Sequence, residues 1–195
     1  MTFSPTLRLS DGFTSTRRIC VLFVDLVGST RLSLALPLKV YSDLMADVLQ
    51  IMMLTCEARG GEVLPHQGDA VVSLWDARLG AFALEAASEL HGRIGTITKA
   101  EELGLDLRVR VGVACGEAVI GSVRGDLTAF GPPMSVARRL CDGAATSQTL
   151  VCGATCDEVP EAHFEPQGER TFQDFPLLRV SSLHASPSLT RMKSS

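Results

Sequence analysis

Apolar residues follow two rhythms along this chain, and the alternation between them predicts its layout. Across residues 18–25 they run almost unbroken (Ile19-Cys-Val-Leu-Phe-Val24), the pattern of a short buried strand. Across 38–58 they return at three- and four-residue steps (Leu44, Val48, Ile51, Met52), which predicts a helix. Pro37 suits its first turn, and Gly60-Gly61 ends it. Residues 62–66 and 70–75 predict a hairpin whose turn carries Gly68-Asp69. A second helix is predicted over 78–102, with a weak point between Gly92 and Gly95. Residues 107–114 and 118–123 predict another hairpin, turning at Cys115-Gly116-Glu117. Pro132-Pro133 opens a helix carrying Met134 to Cys141, and strands are predicted at 149–152 and 177–183, with a looser region between them.

The order is β-α-β-β-α-β with additional strands, an α+β fold of ferredoxin-like type. Polar residues fill 1–16 and 185–195, read as a flexible lead-in and tail, which leaves 17–184 as one domain. No internal repeat or dividing linker interrupts it.

Composition narrows the function classes. At 195 residues and 46% hydrophobic content the chain can bury a full core. A net charge of −4 speaks against sequence-independent nucleic-acid binding through a basic surface. The apolar stretches are too short to span a bilayer, and the first residues lack the basic and apolar segments of a signal peptide. Six scattered cysteines in apolar contexts read as reduced core thiols of a cytoplasmic protein. Cys152 and Cys156 have no Cys/His partner pair at metal-site spacing.

Two aspartates carry the candidate chemistry. Asp25 ends the apolar run 21–24, and Asp69 sits in the glycine turn of the first hairpin. A carboxylate beside so apolar a run is costly to bury unless it is paired or bound to a cation. Two of them on neighbouring strands would seat divalent metal on oxygen ligands and point to phosphate chemistry. Taken singly, each also has a structural reading, Asp25 as a helix N-cap and Asp69 as a turn residue.

Five segments, in order, widen this picture: Phe23-Val-Asp-Leu-Val-Gly-Ser-Thr30; Gly60-Gly61 with Gly68-Asp-Ala-Val-Val72; Arg108-Val-Arg-Val-Gly-Val113 with Gly116-Glu117; Thr128-Ala-Phe-Gly131 followed by Val136-Ala-Arg-Arg-Leu140; and Phe164-Glu-Pro-Gln-Gly-Glu-Arg170. Together they resemble the catalytic domain of class III nucleotide cyclases over residues 17–183. The resemblance implies conversion of a nucleoside triphosphate, ATP first, to its 3′,5′-cyclic monophosphate and pyrophosphate at a homodimer interface. It implies two divalent ions, Mg²⁺ or Mn²⁺, held by Asp25, Leu26 and Asp69. Val27, Gly28, Ser29 and Thr30 would offer main-chain N–H groups to the phosphates, and Arg110 would contact the triphosphate. Arg139 would stabilise charge at the α-phosphate, reaching over from the opposite subunit. Both arginines also have a plain reading as solvated ion pairs.

Departures from the family pattern fall on base and ribose recognition. Pro65 stands where adenylate cyclases carry a purine-selecting lysine, with Thr128 as its usual partner and His66 nearby. Ser135 stands where an asparagine orients the ribose, and Gln173 near a phosphate-contacting lysine. The chain has only three lysines (Lys39, Lys99, Lys193) and no asparagine at all, so no nearby shift of alignment restores the ribose contact. Cyclisation of GTP or a pyrimidine triphosphate therefore stands beside ATP. A catalytically impaired domain that binds nucleotide or dimerises for regulation is the reading from a different class.

Overall fold

The computed structural model describes residues 15–65, 68–172 and 175–184. Its centre is one eight-stranded sheet. Seven strands run in the order β2-β3-β1-β4-β6-β8-β7, and β5 pairs with the far end of β4. The strands are β1 (Ser15–Leu26), β2 (Glu62–Val63), β3 (Ala70–Asp76), β4 (Val109–Val123), β5 (Asp126–Phe130), β6 (Thr149–Cys152), β7 (Phe164–Arg170) and β8 (Leu178–Leu183). Six helices connect them: α1 (Ser29–Ala35), α2 (Leu38–Ala58), α3 (Gly80–Ile94), α4 (Thr98–Glu102), α5 (Pro132–Gly143) and α6 (Gly153–Glu158). Among the described residues no helix is long and apolar enough to cross a membrane.

Period-two alternation gives each central strand two working faces. Cys20, Leu22, Val24 and Leu26 of β1 point to the face covered by α2 and α3, where Leu44, Val48, Met52, Ala83, Ala87 and Leu90 are buried. Ile19 and Val21 point the other way, to a smaller core closed by Val136, Ala137 and Leu140 of α5. Phe23 packs on that second core, so Asp25, two residues on, belongs to the same face. α5 can approach closely because its partner on β4 is Gly112. A Cβ there would lie 2.5 Å from the Cys141 nitrogen and closer still to the Ala137 carbonyl oxygen.

Two expectations change. Residues 107–123 do not fold into a hairpin at Cys115-Gly116-Glu117; those residues continue β4, paired with Cys20, Ile19 and Arg18 of β1. The turn lies farther on, at Arg124 (φ 57°) and Gly125 (φ 90°), where two successive positive φ values make the tight connection to β5. Fifteen residues of β4 persist as strand because β1 extends back to Ser15 and supplies partners for them. The helix expected over 78–102 is two helices, divided in the segment after Gly95. The looser region before the last strand contains β7, an exposed strand whose polar residues gave no alternation to read. α2, by contrast, has the bounds its periodicity predicts.

Candidate active site

β1, the central strand between β3 and β4, delivers Asp25 to the open part of the α5 face. Its neighbours are fixed by register: Asp25 faces Ala70 on β3 and Arg110 on β4. The Arg110 Nη2 donates to the Asp25 Oδ2 at 2.6 Å, and its Nη1 donates to the Asp142 carbonyl at the end of α5. Both side chains of this pair are mostly buried, and the Arg110 Nε has no partner among the described residues. Asp25 is thus a strand residue, and the position that caps α1 is Gly28, held at φ 76°.

Asp69 immediately precedes β3 and accepts a hydrogen bond from the buried Ser29 hydroxyl at the start of α1. That contact ties the turn after β1 to the turn before β3. Burial pushes the Asp25 carboxyl above its ordinary range, and the nearby negative charge of Asp69 adds to the effect. The Arg110 hydrogen bond pulls the other way without overcoming burial. A half-buried carboxylate beside a second one gains from added positive charge, so Asp25 and Asp69 suit divalent ions on oxygen ligands. Among the described residues no group of three His, Cys, Asp or Glu side chains gathers, so further donors would be main-chain or substrate oxygens.

These groups line a cleft of about 810 Å³. Its walls contain Asp25, Leu26, Gly28, Ser29, Thr30, Pro65, Asp69, Arg110 and Thr128, nine of the positions expected from sequence. Val27 does not join them: its N–H donates to the Arg108 carbonyl at 2.9 Å and is therefore unavailable to a phosphate. α1 has only seven residues, which leaves the first-turn N–H groups of Ser29 and Thr30 as its contribution. Ser135 and Arg139 both lie on α5, Ser135 exposed and Arg139 half-buried, and neither lines the cleft of its own chain. His66 and Gln173 lie outside the described residues.

Several cleft residues escaped the sequence reading, among them Phe23, Arg138 and Asp142. Phe23 could have been found from its place two before Asp25 on one strand face. Asp142 and Arg138, both on α5, also line the cleft. Arg138 stacks its guanidinium 5.8 Å from the centre of the Phe23 ring. Its signal was spacing: Ser135, Arg138 and Asp142 fall at helical steps on one exposed face.

The model of the adenylate and guanylate cyclase catalytic domain matches residues 13–173. An adenylate cyclase of Anabaena cylindrica is 30% identical over 140 residues, covering 66% of this chain and 28% of that protein. An uncharacterized protein of Mycobacterium tuberculosis is 31% identical over 146 residues, 69% of this chain and 26% of the relative. The chain thus spans about a quarter of the length of these relatives. Among solved structures, the adenylyl cyclase CyaB from P. aeruginosa superposes with a TM-score of 0.84 at 18% identity, covering 89% of this chain and 97% of that one. The guanylate cyclase domain of RhGC from Catenaria anguillulae, solved with GTP, gives 0.80 at 15% identity, covering 88% and 99%. At such identities the superpositions speak for the fold, and the family match speaks for the lineage: the chain belongs to the adenylate and guanylate cyclase catalytic-domain family.

Proposed function

We propose that the chain cyclises a nucleoside triphosphate, ATP in the first instance, to its 3′,5′-cyclic monophosphate with release of pyrophosphate, as a homodimer. The observation that carries this reading is the placement of Asp25 and Asp69 on one cleft with Arg110 locked to Asp25. Divalent ions held by Asp25 and Asp69, with the main chain at Leu26, would supply the charge that acidifies the ribose 3′-hydroxyl and offsets the triphosphate.

The protein's own groups do the rest. The Arg110 guanidinium, held by Asp25 and the Asp142 carbonyl, keeps a fixed position and presents remaining N–H donors towards phosphate oxygens. Ser29 fixes the Asp69 carboxylate, which spares that side chain a rearrangement when substrate enters. Arg139 and Ser135 stand on α5 without lining the cleft of their own chain, which suits a role in the cleft of a second subunit. Arg139 would there stabilise the charge that develops at the α-phosphorus, and Ser135 would reach the ribose over a longer distance than an amide. Thr128 and Pro65 border the same cleft as Asp25 and are the natural place for the base.

The test is direct. Purified protein is incubated with each of the four triphosphates and Mn²⁺ or Mg²⁺, and cyclic product is measured beside Asp25→Ala and Asp69→Ala. Product that disappears in both variants supports the reading and names the base. A dimer that forms no cyclic product from any triphosphate would instead favour a regulatory cyclase-homology domain, which Pro65 and Ser135 already suggest.

A further inference from the structure

The structure assigns Arg138 as a binding residue for the triphosphate of the substrate, supplied by the same subunit that carries Asp25 and Asp69. The inference deepens the cyclase reading and rests on it for the identity of the ligand. Three observations converge on it. The first is position. Gly112 sits opposite Phe23 in the β1–β4 ladder, and its missing side chain lets the α5 backbone press directly on the sheet. That approach brings Arg138 down beside Phe23, one same-face step along β1 from Asp25. Arg138 and Arg110 therefore border one cleft together with both aspartates.

The second observation is that the guanidinium is held but not neutralised. It lies 5.8 Å from the centre of the Phe23 ring, within the range of a cation–π contact. Among the described residues it forms no ion pair, although Asp25, Asp69, Asp126 and Asp142 line the same cleft. Asp25 is engaged by Arg110, and Asp69 by Ser29. An arginine steadied by a ring keeps its donors unspent, and the planar fork matches phosphate oxygens.

The third observation is the composition of the site. Lysine is absent from the described cleft walls, where Arg110, Arg124 and Arg138 are the cations. Arg124 stands in the β4–β5 turn, whereas Arg138 stands on a helix fixed to the sheet. A rigidly mounted cation beside the metal-binding carboxylates would act on the β- and γ-phosphates, where a triphosphate carries most of its charge. Arg139, the next residue, does not line this cleft and is left for a different role.

The experiment measures binding rather than turnover. Calorimetry in Mn²⁺ follows inorganic pyrophosphate, a 3′-deoxynucleoside triphosphate that cannot cyclise, and the nucleoside alone. Arg138→Ala should weaken the first two by roughly tenfold to a hundredfold, the loss of a charge-assisted contact, and leave the nucleoside unchanged. Arg138→Lys should recover part of the loss, because the charge returns without the fork. Phe23→Leu, which keeps the charge and removes its platform, should fall between wild type and Arg138→Ala. Unchanged pyrophosphate affinity in Arg138→Ala at an unaltered melting temperature overturns the assignment. So does an equal loss for the nucleoside, or a wild type that binds no pyrophosphate. If wild type binds pyrophosphate through Arg138 yet cyclises no triphosphate, the cyclase reading falls and the assignment stands.

Discussion

Arg110 and Asp25 face each other across the β1–β4 ladder and are joined by a hydrogen bond of 2.6 Å, so the cleft holds its carboxylate and its cation in one rigid rung. Removing either charge exposes the other. Among the described residues the buried Arg110 Nε already has no partner, and Asp25 is the largest influence holding the guanidinium in its charged form. Arg110→Ala should therefore cost about 1–3 kcal/mol of stability, from a buried charged group left unpaired, as well as affinity for the triphosphate. Urea unfolding of the variant beside wild type measures the first effect and triphosphate binding the second.

If Asp25 and Asp69 hold divalent ions, Mn²⁺ must stabilise the folded chain, because it binds that state and not the unfolded one. At a concentration a hundredfold above its dissociation constant the gain is about 2.7 kcal/mol. Differential scanning fluorimetry should show the melting temperature rising with Mn²⁺ for wild type. For Asp25→Asn and Asp69→Asn it should stay flat, and a rise that survives both substitutions would place the ions elsewhere.

Gly112 decides whether α5 can seat. A Cβ at this position meets helix main chain, which cannot rotate aside as a side chain does. Gly112→Ala should destabilise by about 3 kcal/mol, the upper end of ordinary overpacking. It should also lower activity more than Gly92→Ala on α3, whose added Cβ meets nothing within 4 Å. Chemical denaturation and initial rates on the two proteins make the comparison.

His91 links stability to pH. It is largely buried on α3, its Nε2 lies 2.8 Å from the Thr149 hydroxyl, and burial lowers its pKa below the ordinary 6.5. The unfolded chain then binds the proton more readily than the folded one. Stability from the neutral ring is fully present above pH 6.5 and is lost as pH falls through the folded value. His91→Gln does not titrate, so its denaturation midpoint should decline less than that of wild type between pH 7 and the acid range.

Ser135 is the departure most open to repair. Ser135→Asn returns a side-chain amide to an exposed position on α5 without disturbing its buried face. With the reaction proposed above, kcat should rise on the order of a hundredfold, the effect of one preorganised hydrogen bond in the transition state. An unchanged kcat at unchanged affinity would mean that the ribose is held by other groups.

Much of this was legible in the chain itself. An unbroken apolar run located β1, three- and four-residue steps located α2, and the Gly68-Asp69 turn and the Pro132-Pro133 pair located β3 and α5, since burial and turn chemistry leave a mark in consecutive residues. Asp25 and Asp69 stood out because a carboxylate breaks an apolar run. β7 left no mark, being exposed and polar, and the Cys115-Gly116-Glu117 segment resembled a turn although it is strand. Its fate depends on β1, about a hundred residues earlier, extending far enough to pair with it.

By itself the sequence determined which side chains carry charge, where the most strongly patterned elements lie, and which family pattern they follow; these are local properties of neighbouring residues. Only the tertiary structure decided which charges meet. Strand register set Arg110 against Asp25, the Arg108 carbonyl took the Val27 N–H, and the absent Cβ of Gly112 brought Arg138 rather than Arg139 to the cleft. Arg138 and Arg139 are adjacent in the chain and chemically identical, but a helix turns about 100° per residue, so one lines the cleft of its own chain and the other does not.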